Sequence, residues 1–154
     1  MILLDTNVFV IDRFFPRDAR HAVNKQFVDK LPELDAGFSI FSLFELCGIS
    51  SFNLSPEELG RWSYYFDELY GVAIVEPIGL EASSASDWLR QFSGEMLDLL
   101  GRKLTWGDAI ILKTAEDYLA EAIVTWNKKH FDGRTDCRLF TPEEYLVRLA
   151  GTET

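Results

Sequence analysis

Three acidic residues and one amide are placed where a single fold could bring their side chains together. Asp5 directly follows the apolar run 2–4, and Asn127 follows a later apolar run. Glu45 and Asp108 each come three residues after a Ser or a Thr. Carboxylate and amide oxygens, completed by water, form the ligand set that Mg²⁺ and Mn²⁺ prefer. A cation held in this way activates water for in-line attack at phosphorus, so phosphodiester hydrolysis is the chemistry to expect.

Helix capping is a simpler explanation for two of these acids. Ser42 and Glu45 have the spacing of a capping box, which needs no catalysis to explain it. Asp108 follows Thr105 at the same spacing, and the helix dipole favours Asp in a first turn. Each acid taken alone can therefore be structural.

Short apolar segments alternate with helical patterns along the chain. This alternation predicts an α/β fold, a three-layer α/β/α sandwich with a short parallel central sheet, in a single domain spanning 1–154. The predicted strands are 2–4, 38–41, 72–75 and 122–125, with a brief edge strand possible at 138–140. The predicted helices are 7–14, 17–30, one opened by Ser42, one opened by Ser55-Pro56-Glu57-Glu58, 80–100 with a possible interruption at Gly94, one opened by Thr105, and 145–150, which follows the capping signal Thr141-Pro142-Glu143-Glu144.

This topology predicts that the four candidate residues converge. The strands of a parallel sheet all end at one edge, where ligands bind. Asp5 and Asn127 follow their strands, Glu45 is expected in the first turn of the next helix, and Asp108 begins a helix that returns to 122–125. Since no Lys or Arg is expected near the three acids, a divalent cation is the natural partner for their packed charge.

Composition bounds the possible functions. The chain has 154 residues, 47% of them apolar, which is ample for a core. It contains neither a membrane-length apolar run nor a secretion signal, so we expect a cytoplasmic protein. A formal net charge of −10 argues against general polyanion binding, although local patches can differ and an acidic surface suits a basic protein partner.

Two segments allow two interpretations each. The positive residues from Arg13 to Lys25 form either a solvated helix face or a local strip that binds phosphate. The helix carrying Trp62 and Tyr65 has more aromatic residues than one core face usually takes, which favours either a protein interface or dense core packing.

Taken together, the motifs resemble the PIN domain, and within it the small VapC-like toxins. The resemblance spans most of the chain in order. It rests on Asp5-Thr6-Asn7 closing the first strand, Glu45, Asp108-Ala-Ile-Ile in a late helix, and the segment from Thr125 to Phe131.

The resemblance implies a Mg²⁺- or Mn²⁺-dependent endoribonuclease, often a homodimer, that an antitoxin holds inactive. Asp5, Glu45 and Asp108 would be the metal-binding acids. Thr6 or Asn7 would support the loop, and Thr125 would orient the ligand or the attacking water. Because Asn127 stands where many members have Asp, we expect one tightly bound ion. The residues expected to contact RNA, most simply an exposed loop of a structured RNA, are Lys128, Lys129, Arg134, His130 and Arg13 with the strip to Lys25, although His130 can equally be structural.

Several rival interpretations remain open. A response-regulator-like domain also gathers acids around Mg²⁺, but this chain lacks the acidic pair after its first strand, and Val75-Glu76-Pro77 is a poor phospho-acceptor loop. A PIN-like module that only binds is allowed by Asn127 and disfavoured by the three acids. A non-toxin RNA-processing nuclease would have the same residues.

Overall fold

A central parallel sheet organises the chain in the computed structural model, which describes residues 1–79 and 84–152. The strands are β1 Ile2–Leu4, β2 Ala36–Ser39, β3 Ala73–Val75, β4 Ala122–Val124 and β5 Arg138–Phe140. They are parallel throughout and lie in the order β3-β2-β1-β4-β5. The order reverses between β1 and β4, and a ligand crevice is expected at the carboxyl end of such a switch point.

Helices cover both faces of the sheet. They are α1 Thr6–Phe14, α2 His21–Lys30, α3 Ile40–Ser50, α4 Pro56–Tyr64, α5 Phe66–Tyr70, α6 Ala85–Gly101, α7 Trp106–Asp117 and α8 Pro142–Thr152. Successive strand residues face opposite sides. Ile2 and Leu4 accordingly join one buried cluster, with residues of α1, α2 and α4, whereas Leu3 joins a second with residues of α6 and α7. The predicted α/β/α sandwich is therefore confirmed.

Three predicted helix starts are confirmed by their caps. Ser55 and Glu58 form a complete capping box. Thr105 caps α7 by accepting from the backbone N–H of Asp108. At α8, Thr141 and Glu144 exchange hydrogen bonds between side chain and backbone.

The predicted capping box of Ser42 and Glu45 is wrong. Strand β2 begins two residues earlier than predicted, and Ser39, with extended backbone, takes the N-cap position of α3. Ser42 is consequently buried inside the helix, where its hydroxyl lacks a hydrogen-bond partner within the described chain. Glu45 lies in the second turn rather than the first, so its carboxylate is free for another role.

Other boundaries also differ from the predictions. Helix α2 begins at His21 because Asp18 binds the backbone and guanidinium of Arg20 in a turn before it. Helix α6 is continuous through Gly94 and begins after its cap Ser84, while 80–83 lie outside the described residues.

The aromatic helix is in fact two short helices that meet at Tyr65. Trp62 is 7% exposed and packs against Phe14 and Phe66, so core packing is the correct interpretation for this residue. Tyr65 remains exposed.

Two observations narrow the possible functions. The strand order 3-2-1-4-5 differs from the 2-1-3-4-5 order of response regulators, which removes that rival. Within 1–79 and 84–152, every helix is too short or too polar to cross a membrane.

Candidate active site

The four predicted site residues line one cleft at the carboxyl edge of β1 and β4. This cleft has a volume of about 270 Å³. Its lining consists of Asp5, Thr6, Asn7, Val10, Glu45, Ile49, Thr105, Gly107, Asp108, Ile111, Asn127 and His130. The predicted convergence of Asp5, Glu45, Asp108 and Asn127 is therefore what the fold produces.

Asp5 is held by three donors at the junction of β1 and α1. It is the N-cap of α1, and its Oδ1 accepts from the backbone N–H of Asn7 at 3.3 Å. Its Oδ2 accepts from Asn7 Nδ2 at 2.6 Å and from the Thr125 hydroxyl at 2.5 Å. The carboxylate is thus fixed in orientation although only 7% of the residue is exposed.

Thr125 and Asn7 tie the loops after β1 and β4 together. The buried Thr125 hydroxyl donates to Asp5 and accepts from Asn7 Nδ2 at 3.1 Å and from the Asn127 backbone N–H at 2.9 Å. The side-chain oxygen of Asn7 accepts from the backbone N–H of Trp126 at 3.2 Å. The supporting residues predicted from the sequence therefore do contact Asp5 and the loop that carries Asn127.

Glu45 is positioned by Thr6 on one side and Gly107 on the other. The Thr6 hydroxyl donates to Glu45 Oε2 at 2.9 Å. A Cβ at Gly107 would lie 2.8 Å from Glu45 Oε1, so a larger residue here would displace this carboxylate from its present position. Sequence reasoning missed Gly107, and its only signal there was a glycine directly before Asp108 at a helix start.

Asp108 lies in the first turn of α7, as predicted. Its Oδ2 accepts from the Thr105 hydroxyl at 2.6 Å. Nδ1 of His130 lies 3.3 Å from the same oxygen. The capping role and the cleft position are thus compatible, because the carboxylate reaches both its cap residue and the cleft.

The electrostatics of the cleft are strongly negative. Burial raises the pKa of Asp5 to about 6, and the charges of Asp108 and Glu45 add to the rise against the hydrogen bonds from Thr125 and Asn7. Among the described residues that line the cleft, none is Lys or Arg. Carboxylates arranged in this way favour binding of a cation.

The lining residues fit a hydrated hard cation better than a fully protein-ligated one. In the part of the chain that the structure describes, no three Asp, Glu, His or Cys side chains come close enough to enclose a metal ion. Mg²⁺ usually binds through one or two carboxylates and keeps several waters. The fixed carboxylate of Asp5, with Glu45 and Asp108 across the cleft, suits that mode.

The residues predicted to contact substrate lie at different distances from the cleft. Of the five, only His130 lines it. Lys128 pairs with Glu144 at 2.7 Å, and Lys129 is exposed. Arg134 is half-buried, and its guanidinium donates to backbone carbonyl oxygens. Arg13 is exposed and borders a separate cavity with Asp12 and His21.

The positive strip that follows Arg13 is partly neutralised. Arg20 pairs with Asp18, and Lys25 pairs with Asp29. The strip is therefore weaker as a phosphate-binding surface than its sequence indicates.

Comparison with known proteins gives a consistent family and fold. The family described as the PIN domain matches residues 2–133. Three similar structures are FitAcB from Neisseria gonorrhoeae (20% identity, 92% of this chain and 98% of that one, TM-score 0.60), FitAB bound to the IR36 DNA fragment (18%, 93% and 96%, 0.62) and VapBC-1 from nontypeable Haemophilus influenzae (20%, 92% and 98%, 0.60). No curated protein sequence matches the chain.

Proposed function

Because the chain belongs to the PIN domain family, whose members are generally nucleases, we propose that it is a Mg²⁺- or Mn²⁺-dependent endoribonuclease and the toxin of a toxin–antitoxin pair. The observation that carries the proposal is the set of three carboxylates that face one cleft, with no Lys or Arg among the described residues that line it. A purely structural arrangement would pair such charges, as the chain does elsewhere.

Each site residue has a role in this proposal. Asp5, Glu45 and Asp108 would hold the cation, directly or through water, and Asn127 would hold a water beside it. When bound, the cation supplies an activated water and offsets the charge that develops on the phosphate. Thr125 holds Asp5 in place at 2.5 Å, so the main ligand is oriented before substrate arrives.

His130 and Lys129 are the proposed contacts to the scissile phosphate and its neighbour. His130 lines the cleft, and the exposed Lys129 directly precedes it in the chain. Lys128 would contribute only after leaving Glu144, and Arg13 would contact RNA only away from the cleft.

We also propose an antitoxin partner and a homodimer. The similar structures named FitAB and VapBC-1 support a toxin–antitoxin assembly by their fold. Several large apolar side chains of α3 to α5 are exposed and could serve such contacts: Phe44, Phe52, Tyr64, Tyr65 and Leu69. Light scattering on wild type and Phe44→Glu tests the dimer, since loss of a dimer mass in the variant supports it and a monomeric wild type contradicts it.

Cleavage of a labelled structured RNA tests the nuclease directly. Wild type should cut with Mn²⁺ or Mg²⁺ and not with EDTA. Asp5→Asn should be at least about a hundredfold slower, because removing even a residue that only hydrogen-bonds to a metal ligand costs 10- to 100-fold. Asp35→Asn, the same change at an exposed acid that pairs with the N-terminus, is the control and should cut like wild type. Metal-independent cutting, or equal rates for wild type and Asp5→Asn, contradicts the proposal.

A further inference from the structure

A basic surface with one exposed aromatic ring borders the cleft beside the start of α7. It comprises Arg102, Lys103, Trp106, Lys129 and Arg134, and we call it the rim patch. Its residues come from the connection between α6 and α7 and from the segment after β4. In a chain with a formal charge of −10, a cationic cluster at the edge of an acidic cleft needs an explanation.

Arg134 joins the two segments and fixes the rim patch against the cleft. Its Nε donates to the carbonyl oxygen of Arg102 at 3.1 Å, and its Nη1 donates to that of His130 at 2.7 Å. His130 in turn contacts Asp108, which lies two residues after Trp106. Through Arg134 and His130, these contacts connect the rim patch to the acid Asp108 of the cleft.

Three of the four cations of the rim patch form no ion pair within the described residues, and the fourth, Arg102, pairs with Glu116. Elsewhere the Lys and Arg side chains mostly pair with acids, as Arg61 does with Glu57 and Arg90 with Asp87. Within 1–79 and 84–152, Lys103, Lys129 and Arg134 form no such pair.

Acidic side chains also lie close to this surface and neutralise part of its charge. Arg102 forms an exposed ion pair with Glu116 at 3.8 Å and lines a cavity with Asp98, so its charge is partly neutralised. Asp132 lies in the same turn as Arg134, and its single negative charge leaves the patch positive. The positive charge that remains on the rim patch can neutralise RNA phosphates.

Trp106 differs from the other three tryptophans of the chain. Trp62 is 7% exposed, and Trp88 and Trp126 are half-buried with bonded indole N–H groups. Trp106 is 52% exposed, and its one ring contact among the described residues is with Phe92, edge-on at 6.4 Å between centroids. The core therefore does not explain this ring, whereas a stacking platform does, because exposed aromatic rings next to cations bind the bases of single strands.

We propose that the rim patch binds the single-stranded segment of the RNA beside the scissile bond. Trp106 stacks on one base, and Arg102, Lys103 and Lys129 contact the flanking phosphates. Arg134 is a positioning residue that holds the two segments together. The proposal rests on the proposed ribonuclease function, but binding at the rim patch requires no metal and can be measured separately.

The test is binding of a fluorescein-labelled, unstructured 12-nucleotide RNA in EDTA, followed by anisotropy over a range of salt concentrations. Lys103→Glu/Lys129→Glu is compared with Arg61→Glu/Arg90→Glu, which changes the net charge equally and alters two exposed ion pairs away from the cleft. The rim variant should bind at least about tenfold more weakly, with the slope of log K against log salt reduced by roughly 1.4. The control should stay within about twofold of wild type, because exposed ion pairs contribute little.

Trp106 is tested by itself. Trp106→Ala should bind about tenfold more weakly and Trp106→Phe close to wild type, because a smaller ring still stacks. A 12-base-pair RNA duplex should bind wild type more weakly than the single strand, since its bases are already stacked.

Four results would overturn the proposal: no RNA binding by wild type, equal losses in the two double variants, wild-type affinity for Trp106→Ala, or a changed oligomer mass for Trp106→Ala by light scattering. The last would make Trp106 a protein contact. Failure of the nuclease proposal is separate, because it appears as absent cleavage with metal while single-strand binding still depends on the rim patch.

Discussion

The two ends of β4 have opposite electrostatics. Just before the strand, Glu121 accepts hydrogen bonds from Arg148 and from Arg138 at 3.1 Å, which lower its pKa. Just after the strand, Thr125 leads into the cleft, where burial raises the pKa of Asp5 to about 6. Only the three residues of β4, Ala122–Val124, separate Glu121, whose charge is neutralised, from the loop that borders the unneutralised acids of the cleft.

The same contrast holds at β1. At its amino end, the N-terminal ammonium of Met1 pairs with Asp35 at 2.8 Å. At its carboxyl end, Asp5 accepts hydrogen bonds from Asn7 and Thr125, and no Lys or Arg of the described residues pairs with it. The acids at the amino edge of the sheet thus form ion pairs that stabilise the fold. The acids at the carboxyl edge remain available to bind a cation from solution, and their burial without a partner lowers the stability of the metal-free protein.

The largest expected effect is on how the free energy of unfolding depends on pH, because the charged form of Asp5 is buried. The folded-state pKa of Asp5, raised from 3.8 to about 6, means that its protonated form favours the folded state. This contribution is complete below about pH 4 and is lost as the pH rises through about 6, a change of about 3 kcal/mol. Asp5→Asn is uncharged throughout, so its unfolding free energy relative to wild type should rise by about that amount between pH 4 and 7.5. Urea unfolding in EDTA measures it.

Asp35→Asn is the matched control for this measurement. It removes an exposed carboxylate at the other edge of the sheet, so it should change the unfolding free energy by less than about 1 kcal/mol across the same range. Parallel pH curves for wild type and Asp5→Asn would show that burial of Asp5 does not disfavour its charge, and the comparison between the two edges would fail.

The next largest effect concerns the support for Asp5. Thr125→Val keeps the shape of the buried side chain but removes a hydroxyl that serves Asp5, Asn7 and Asn127. Unsatisfied buried groups should lower the unfolding free energy by about 2 kcal/mol. Metal-dependent cleavage should fall by roughly 10- to 100-fold, as expected when a metal ligand loses the hydrogen bond that orients it.

Thr114→Val is the control, because that hydroxyl bonds only a carbonyl oxygen within α7. It should leave the cleavage rate unchanged. If both valine variants cut RNA equally well, the hydroxyl of Thr125 is not what holds Asp5 in its working orientation.

A smaller effect on stability is expected when negative charge is added to the cleft, which increases the difference between the two edges of the sheet. Asn127→Asp places a fourth carboxylate at the carboxyl edge. Without metal, repulsion should lower the unfolding free energy by about 1 kcal/mol, whereas saturating Mn²⁺ should stabilise the variant more than wild type. Thermal melts with EDTA and with Mn²⁺ measure both. Equal Mn²⁺ stabilisation of the two proteins would place Asn127 outside the cation's reach.

The smallest effect is expected at the neutralised end. Glu121→Gln removes the negative partner of Arg138 and Arg148 in a half-exposed site. The unfolding free energy should fall by about 0.5–1 kcal/mol, with cleavage unchanged. A large loss of cleavage would mean that the two ends of β4 are not functionally separate.

The sequence predicted the sheet and the cleft because their signals are local. A wholly apolar run ending on Asp5 requires a strand buried on both faces, and the Ser55 and Thr105 caps mark helix starts within four residues. Given a parallel sheet, the convergence of Asp5, Glu45, Asp108 and Asn127 follows from topology alone.

What the sequence could not predict depends on tertiary contacts. Ser39 and Ser42 are both acceptable caps, and pairing of β2 with β1 decides between them. The pairing of Lys128 with Glu144 and the burial of Trp62 likewise join segments distant in sequence. Gly107 matters only because α3 brings Glu45 against it.

Calorimetric titration of the metal-free protein with Mn²⁺ tests the central claim most directly. Wild type and Asp35→Asn should each bind one Mn²⁺, and Asp5→Asn should bind it at least about tenfold more weakly. Absence of binding in wild type, or equal binding by wild type and Asp5→Asn, would contradict the claim that the carboxyl edge of the sheet is built to hold a cation.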